Sequence, residues 1–350
     1  MRVAIKSDDA LLSAMMSAQR ANGYVLSSHW RSYEDLTLAE LQSVRLTDFL
    51  SVPNSFGNFA AKRRLRPSLM RRILYRVRKF LFGLAGGSRV ARYPLGRITE
   101  LPSSEQIKFV ASEFAEALYV TPGGHRLLEI DDSLAGEPPA QFEISGKTYS
   151  VQFLYYFARA QWLLNNLTLP QGAGVVEVGP GYGGFIEVLR KLRPDLRIVL
   201  VDIAPQLYVA EQRAKAIFGE SAVVGFAKTS KMVRIDVAAL EPGQIAIVAP
   251  WDIDKLANIW LGVNHASMQE MTRAQAVGYI DALVMAGMQQ FFLIHHSTGV
   301  ILGPDAVTSE FLIDCLLKNE LRMKAFGAQP IRDFATSGHP FHDYLLFAKS

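Results

Sequence analysis

The sequence predicts an α/β fold: an open, mostly parallel sheet of seven strands with helices on both faces, behind a mainly helical N-terminal region. Three observations predict it. An apolar run at 175–178 breaks into a glycine-rich turn and resumes as a helix near Gly184. Strand-length apolar runs then alternate with helix-length segments as far as residue 319. At the end two strand-like runs follow each other with only a loop between them, as in a closing antiparallel hairpin.

In chain order, residues 1–148 read as a mainly helical accessory domain. Breaks fall at Pro53-Asn54, Gly83 to Gly87, Pro94, Pro122-Gly123-Gly124 and Pro138-Pro139. Residues 104–120 read as a helix that Ser103 or Ser104 can cap. The second domain, 149–350, opens with a helix at 149–166 carrying Phe153, Tyr156, Phe157, Ala160 and Leu164 on one side. Strands follow at 175–178, 196–201 and 244–249, with a helix at 205–218. A fourth strand ends near Asn264, a fifth spans 289–295, a helix 305–319, and the last two strands 321–327 and 341–349.

Composition sets bounds on these assignments. A chain of 350 residues that is 49% apolar has enough material for a real core in one large or two ordinary domains. A single cysteine, Cys315, excludes an internal disulfide and a cysteine-based metal cluster, and a reducing cytoplasm is the simplest compartment. Asp8 and Asp9 interrupt the region where a signal peptide needs apolar residues, and no run of about 18 apolar residues occurs, so neither standard export nor membrane spanning is expected. The net charge of +4 hides an asymmetry, because Lys62, Arg63, Arg64, Arg66, Arg71, Arg72, Arg76, Arg78 and Lys79 leave −5 for the rest. From Pro67 onward Met70, Ile73, Leu74, Val77 and Leu81 recur at helical spacing, so 62–81 reads as an amphipathic helix with a basic back. It suits anionic lipid headgroups, a phosphorylated substrate, or simply a solvated face. Nucleic-acid binding is not expected, since the segment lacks interleaved exposed aromatics and the remainder is acidic.

The turn Val178-Gly179-Pro180-Gly181-Tyr182-Gly183-Gly184 carries the chemistry. Glycines at 179, 181 and 183 let the backbone take φ > 0 and approach a ligand, and the helix beginning near Gly184 offers unpaired N–H groups. Gly179, Gly181 and Gly184 also satisfy the Gly-x-Gly-x-x-Gly pattern of dinucleotide folds. Glu177, two residues before the first glycine, favours S-adenosylmethionine instead: its carboxylate would repel a pyrophosphate but attract a methionine ammonium. Asp202, ending the second strand, can accept from both ribose hydroxyls in either class and does not discriminate.

Further motifs narrow the choice. Asn264-His265-Ala266-Ser267 is followed by Met268-Gln269-Glu270-Met271, with Tyr279-Ile280 beyond; Gly136-Glu137-Pro138 precedes the domain and Pro205-Gln206-Leu207-Tyr208 follows Asp202. From about Gly136 to the C-terminus this resembles class I S-adenosylmethionine-dependent methyltransferases of a sugar O-methyltransferase family. In that family the fourth strand ends in Asn-x-x-Ser and leads into a helix opening with Gln-Glu-Met. The resemblance implies a Rossmann-like sheet, S-adenosylmethionine as cofactor, a sugar hydroxyl as acceptor, and an accessory or acceptor-cap domain at 1–148 that closes over the cofactor, supplies the acceptor pocket or builds an oligomer interface. It departs at the fifth strand's end, where His295-His296 stands in place of an asparagine.

In such a sheet, ligands bind beyond the carboxyl ends of the strands. That places His265, His295 and His296 near the reacting centre, with only one of the last two on the acceptor's face. A base helps a protonated hydroxyl attack a sulfonium methyl, and histidine titrates near working pH. His265 is the favoured base, with Glu270 orienting it or acting as the base itself, and His295 a further catalytic candidate. His265 can equally brace the following helix. Pro250 and Trp251 suit an adenine wall, although Trp251 can equally pack under the accessory domain, and Asn264 suits the methionine end of the cofactor or the acceptor. Asp252 and Asp254 follow closely, but their spacing matches no metal motif, so no metal is assigned. The predicted cofactor-binding set is Glu177, Gly179, Gly181, Gly183, Asp202, Pro250, Trp251 and Asn264. A non-sugar acceptor, phenolic or nitrogenous, stays open, as do homo-oligomers. A nicotinamide-dependent dehydrogenase or epimerase fits less well, because neither Tyr208 nor Tyr279 has lysine four residues on.

Overall fold

The computed structural model describes residues 3–51, 122–138, 141–296, 305–328 and 342–349. The basic segment 62–81 and the helix expected at 104–120 lie outside the described residues.

Helix α1 (Asp9–Ala21) is capped by Asp8, whose side chain accepts from Leu11 N–H, and α2 (Ser28–Ser43) by Ser27, which accepts from Trp30 N–H. A hairpin of β1 (Gln141–Ile144) and β2 (Lys147–Ser150) leads into α3 (Val151–Asn166). Ser150 caps α3 and is itself held by Asp132 through both N–H (2.7 Å) and hydroxyl (2.6 Å). Then come β3 (Gly174–Val178), α4 (Gly184–Leu192), β4 (Arg197–Val201) and α5 (Ala204–Phe218). The stretch read as irregular holds β5 (Val223–Val224), the single turn α6 (Phe226–Thr229) and β6 (Ile235–Asp236). The rest is β7 (Ile245–Val248), β8 (Leu256–Ala257), β9 (Leu261–His265), α7 (Arg273–Met285), β10 (Gln290–His296), α8 (Ser309–Lys318), β11 (Leu321–Ala328) and β12 (His342–Lys349).

The main sheet runs β11-β12-β10-β9-β3-β4-β7-β5, with β12 antiparallel to both neighbours and the other pairings parallel. The Rossmann-like α/β class and its terminal hairpin are therefore those expected. An eighth strand appears because Val223 and Val224 join the β7 edge, a pairing too short to leave a period in the sequence. The Gln-Glu-Met segment opens no helix: Met268–Glu270 is one 3₁₀ turn, and α7 starts only after Thr272, which forms a capping box with Gln275.

Side-chain alternation divides the core cleanly. Val175, Ile198, Leu200, Ile245, Ile247, Leu261, Val263, Phe292 and Ile294 face α3, α4 and α5, whereas Val176, Val178, Val199, Val201, Phe291 and Leu293 face α7 and α8. The first of these cores also holds Ile5, Leu11, Met15, Leu46, Phe49 and Leu127, so the described N-terminal residues pack into the sheet's own core. Helix α1 lies along α5, and Gln19 Oε1 accepts the Ala204 N–H at 2.9 Å. That satisfies an α5 terminus whose cap, Ile203, has no polar side chain. Among the described residues no helix is long and apolar enough to cross a membrane.

Candidate active site

Because β3, β4 and β9 are parallel neighbours, their carboxyl ends open on one crevice. Glu177 and His265 both belong to the alternation that faces α3 and α4. Glu177 is in register with Val263, and His265 lies one pleat further along β9. The two side chains meet, His265 Nδ1 to Glu177 Oε1 at 2.8 Å. The imidazole is further fixed edge-on against Phe185, ring centres 4.0 Å apart, and lies 5.7 Å from Phe292. Glu177 is buried, and among the described residues its Oε2 has no hydrogen-bond partner.

The turn between β3 and α4 is pinned along its length. Val178 C=O accepts from Asn264 Nδ2 (2.8 Å) and Ser267 Oγ (3.0 Å), and Gly179 N–H donates to Val201 C=O (2.8 Å). Gly179 has φ +72°, and a Cβ there would collide with Ser267 Oγ. Gly181 has φ +55°, and a Cβ there would meet nothing within 4 Å, so bare backbone faces the cavity. Its N–H donates to Asp202 Oδ2 at 3.0 Å, while Ile203 N–H donates to Asp202 Oδ1 at 2.8 Å.

Two carboxyl groups thus share one poorly hydrated cavity. Burial pushes Glu177 up to about 8, and the neighbouring Asp202 adds to the rise while Arg159 opposes it. Burial likewise pushes Asp202 up to about 7, against the two backbone N–H donors. A cationic or hydrogen-donating ligand placed between them would favour the ionised forms.

Behind the turn lies a buried ion cluster. Arg213 pairs with Glu187 and donates to Gly183 C=O at 3.4 Å, and Lys191 Nζ lies 2.5 Å from Glu187 Oε1. Burial alone would raise Glu187, but Arg213, Lys191 and the Ser133 N–H hold it at about 2. The cluster therefore ties α4 and α5 to the carbonyl that ends the glycine turn.

Of the predicted residues, Glu177, Gly179, Gly181, Asp202, His265 and Glu270 line the cavity. The others do not. Gly183 lies behind it as the α4 cap, with φ +79°. Asn264 is fully buried and spends its amide on Val178 C=O and Ser267 Oγ and its carbonyl on Met268 N–H, so it shapes the turn instead of meeting a ligand. Trp251 packs against Tyr24, ring centres 6.1 Å apart, and Pro250 is buried beside it; neither forms a cavity wall. His295 follows Phe291 and Leu293 onto the opposite face of β10, where Nε2 meets Val307 C=O at 3.0 Å. The His296 side chain lies outside the described residues. The acid hydrogen-bonded to His265 is Glu177; Glu270 lines the same cavity, and its backbone carbonyl accepts from Ser27 Oγ at 2.7 Å. Asp252 is engaged by Lys255 at 2.6 Å.

Sequence reading assigned an acceptor cap to residues 1–148 but named no site residue in it. Tyr24, Leu26 and Ser27, between α1 and α2, and Trp30 in the first turn of α2 line the cavity. They are anchored by Tyr24 to Tyr279 (2.9 Å between hydroxyls) and by Gln275 Nε2 to Val25 C=O (2.8 Å). No motif marks them, because their partners lie some 240 to 255 residues away. Arg159 was missed too, although its helix was assigned; Tyr156 one turn earlier carries the aromatic signal.

No protein-family model matches the chain, and no curated protein matches it. Among solved structures the chain is similar to magnesium protoporphyrin IX methyltransferase (ChlM) from Synechocystis PCC 6803 with bound SAH, at 13% identity, over 57% of this chain and 86% of that one, with a TM-score of 0.40. It is also similar to the mitomycin 7-O-methyltransferase MmcR, at 11% identity, over 71% and 68% of the two chains, with a TM-score of 0.39. A SAM-dependent methyltransferase from Aquifex aeolicus aligns at 11% identity over 57% and 94%, with a TM-score of 0.39.

Proposed function

We propose that this protein is an S-adenosylmethionine-dependent O-methyltransferase acting on a hydroxyl of a sugar or glycosylated metabolite. The observation that carries the reading is the pair of carboxyl groups, Glu177 and Asp202, at the ends of adjacent parallel strands with the open backbone of Gly181 between them. A pyrophosphate would meet the Glu177 carboxylate there, whereas the adenosyl cofactor offers an ammonium to its unpartnered Oε2; Asp202 would take a ribose diol in either class. When bound, that cofactor supplies an activated methyl group on a sulfonium.

The chain's own residues do the rest. Once Glu177 is ionised it favours the tautomer with hydrogen on Nδ1 of His265, which makes Nε2 the basic nitrogen. Nε2 is then the atom that would accept the proton of the acceptor hydroxyl. The same carboxylate thus serves cofactor and base, so the base is fully competent only with the donor in place. Tyr24, Leu26, Ser27 and Trp30 wall the cavity and would limit the access of water to the reacting atoms.

The sugar acceptor rests on the likeness at residues 264–271, and the expected division at 148/149 assigns the acceptor wall to the N-terminal half. The test is transfer of labelled methyl from S-adenosylmethionine to a panel of free, nucleotide-linked and lipid-linked sugars beside phenols and amines. Label appearing on a sugar hydroxyl is the expected result; label appearing only on a phenol or amine would replace the acceptor assignment.

A further inference from the structure

The N-terminal residues that wall the cavity meet different parts of it. Tyr24 stands at the Asp202 end: its hydroxyl meets that of Tyr279 at 2.9 Å, and the charge of Asp202 adds to the rise that burial imposes on both phenols. Ser27 stands at the other end, where its Oγ donates to Glu270 C=O at 2.7 Å and accepts from Trp30 N–H at 3.3 Å. Trp30, half-buried in the first turn of α2, therefore enters the cavity beside the turn that follows β9 and His265. With ribose at Asp202 and ammonium at Glu177, the acceptor has to reach His265 from the space that remains on this side. Most side chains bordering that space are committed. Ser27 holds Glu270 C=O, Ser267 Oγ donates to Val178 C=O, and the Gln275 amide is shared between Val25 C=O and Thr272 N–H. Tyr156, a second ring near His265, is already met by Tyr182, Phe185, His265 and the Arg159 guanidinium.

We propose that the indole of Trp30 is the platform on which the acceptor's sugar ring lies, so that the N-terminal segment selects the acceptor. This rests on the reading of the protein as a sugar methyltransferase. The chemistry suits the residue: a pyranose presents C–H groups on its face, and an indole offers them a large apolar surface whose electron-rich π face attracts their slightly positive hydrogens. The ring hydroxyls then project from the rim of the stack, where one of them can reach the base. The bond from Ser27 to Glu270 C=O ties the platform to the segment that carries His265, so the two keep a fixed separation.

The experiment is titration of the full chain loaded with S-adenosylhomocysteine, and of loaded Trp30→Ala and Trp30→Phe, with a set of methyl hexosides and methyl 6-deoxyhexosides, read by saturation-transfer NMR and calorimetry. The unaltered protein is expected to bind at least one of them, with saturation strongest on the C–H protons of one ring face. Trp30→Ala should weaken that glycoside roughly 10- to 100-fold, the range for truncating a central aromatic contact, while S-adenosylhomocysteine stays within about twofold. Trp30→Phe keeps a smaller face, so it should fall between, and it carries the test if the alanine variant does not fold. Unchanged glycoside affinity in the variants, or an equal loss of glycoside and S-adenosylhomocysteine, would overturn the proposal alone, since the first places the ring elsewhere and the second makes Trp30 a wall of the cofactor site. Failure of the loaded unaltered chain to bind any glycoside would instead sink the sugar reading, and failure to bind S-adenosylhomocysteine the methyl-donor reading, and this proposal falls with either.

Discussion

Replacing His265 by glutamine is expected to lower kcat roughly 10²- to 10⁴-fold, the contribution of a positioned general base, while S-adenosylmethionine binding stays within a fewfold. Glutamine retains an N–H donor for Glu177 and approximates the ring's bulk against Phe185, so the loss reports proton transfer more than collapse of the site. A second readout separates the roles. Methyl transfer by the variant should fall far more than its affinity for S-adenosylmethionine, a split between kcat and binding that a merely structural role would not give. Glu270→Gln should cost far less, because Glu270 is not the residue bound to the imidazole. A His265→Gln enzyme with nearly full kcat would make His265 a brace between β9 and Phe185 and no more.

The second large effect concerns stability. Arg213→Ala should destabilise the fold by about 3–5 kcal/mol, because it strands the carboxylate of Glu187 in the core with only Lys191 as a counter-charge. Against the 5–15 kcal/mol that typically separates folded from unfolded chains, such a loss is readily measured by urea denaturation. The pH dependence follows from the same cluster. Glu187 titrates at about 2 when folded and near 4.5 when unfolded, so its ionised pairing stabilises the protein above the unfolded value and is lost as pH falls from there toward 2. An Arg213→Ala protein should therefore lose much of the acid sensitivity of the parent. A change under about 1 kcal/mol would show that water reaches Glu187 and that the cluster does not lock the turn.

The parts of the site that local chemistry dictates were legible in the sequence. Apolar runs of four to seven residues announced β3, β4, β7 and β10 to within a residue or two and the end of β9, and the glycines of the turn adopt the positive φ that their spacing implied. Glu177 and Asp202 were legible because a carboxyl group at the end of a buried strand has few structural excuses. Register was not legible. Whether His265 meets Glu177 or Glu270, and whether His295 faces the crevice, depends on one residue of alternation across strands distant in sequence. The same ambiguity sent Asn264 to the cofactor when its amide is spent holding Val178 C=O. Tyr24 and Ser27 were invisible because their roles come from partners, Tyr279 and Glu270, on the far side of the chain.

The measurement that tests the central claim most directly is titration of the protein with S-adenosylmethionine, S-adenosylhomocysteine and NAD at pH 6 and pH 8.5, repeated on Asp202→Ala and Gly181→Val. Both adenosyl ligands should bind and NAD should not, and both variants should lose binding. In the ligand-free protein Glu177 and Asp202 titrate at about 8 and about 7, so at pH 6 both are largely protonated. An ammonium and a ribose diol favour the ionised groups, so binding releases protons and affinity should climb with pH, by up to about tenfold per unit for each group until its ligand-free value is passed. Binding of NAD alone, or of none of the three, would contradict the account.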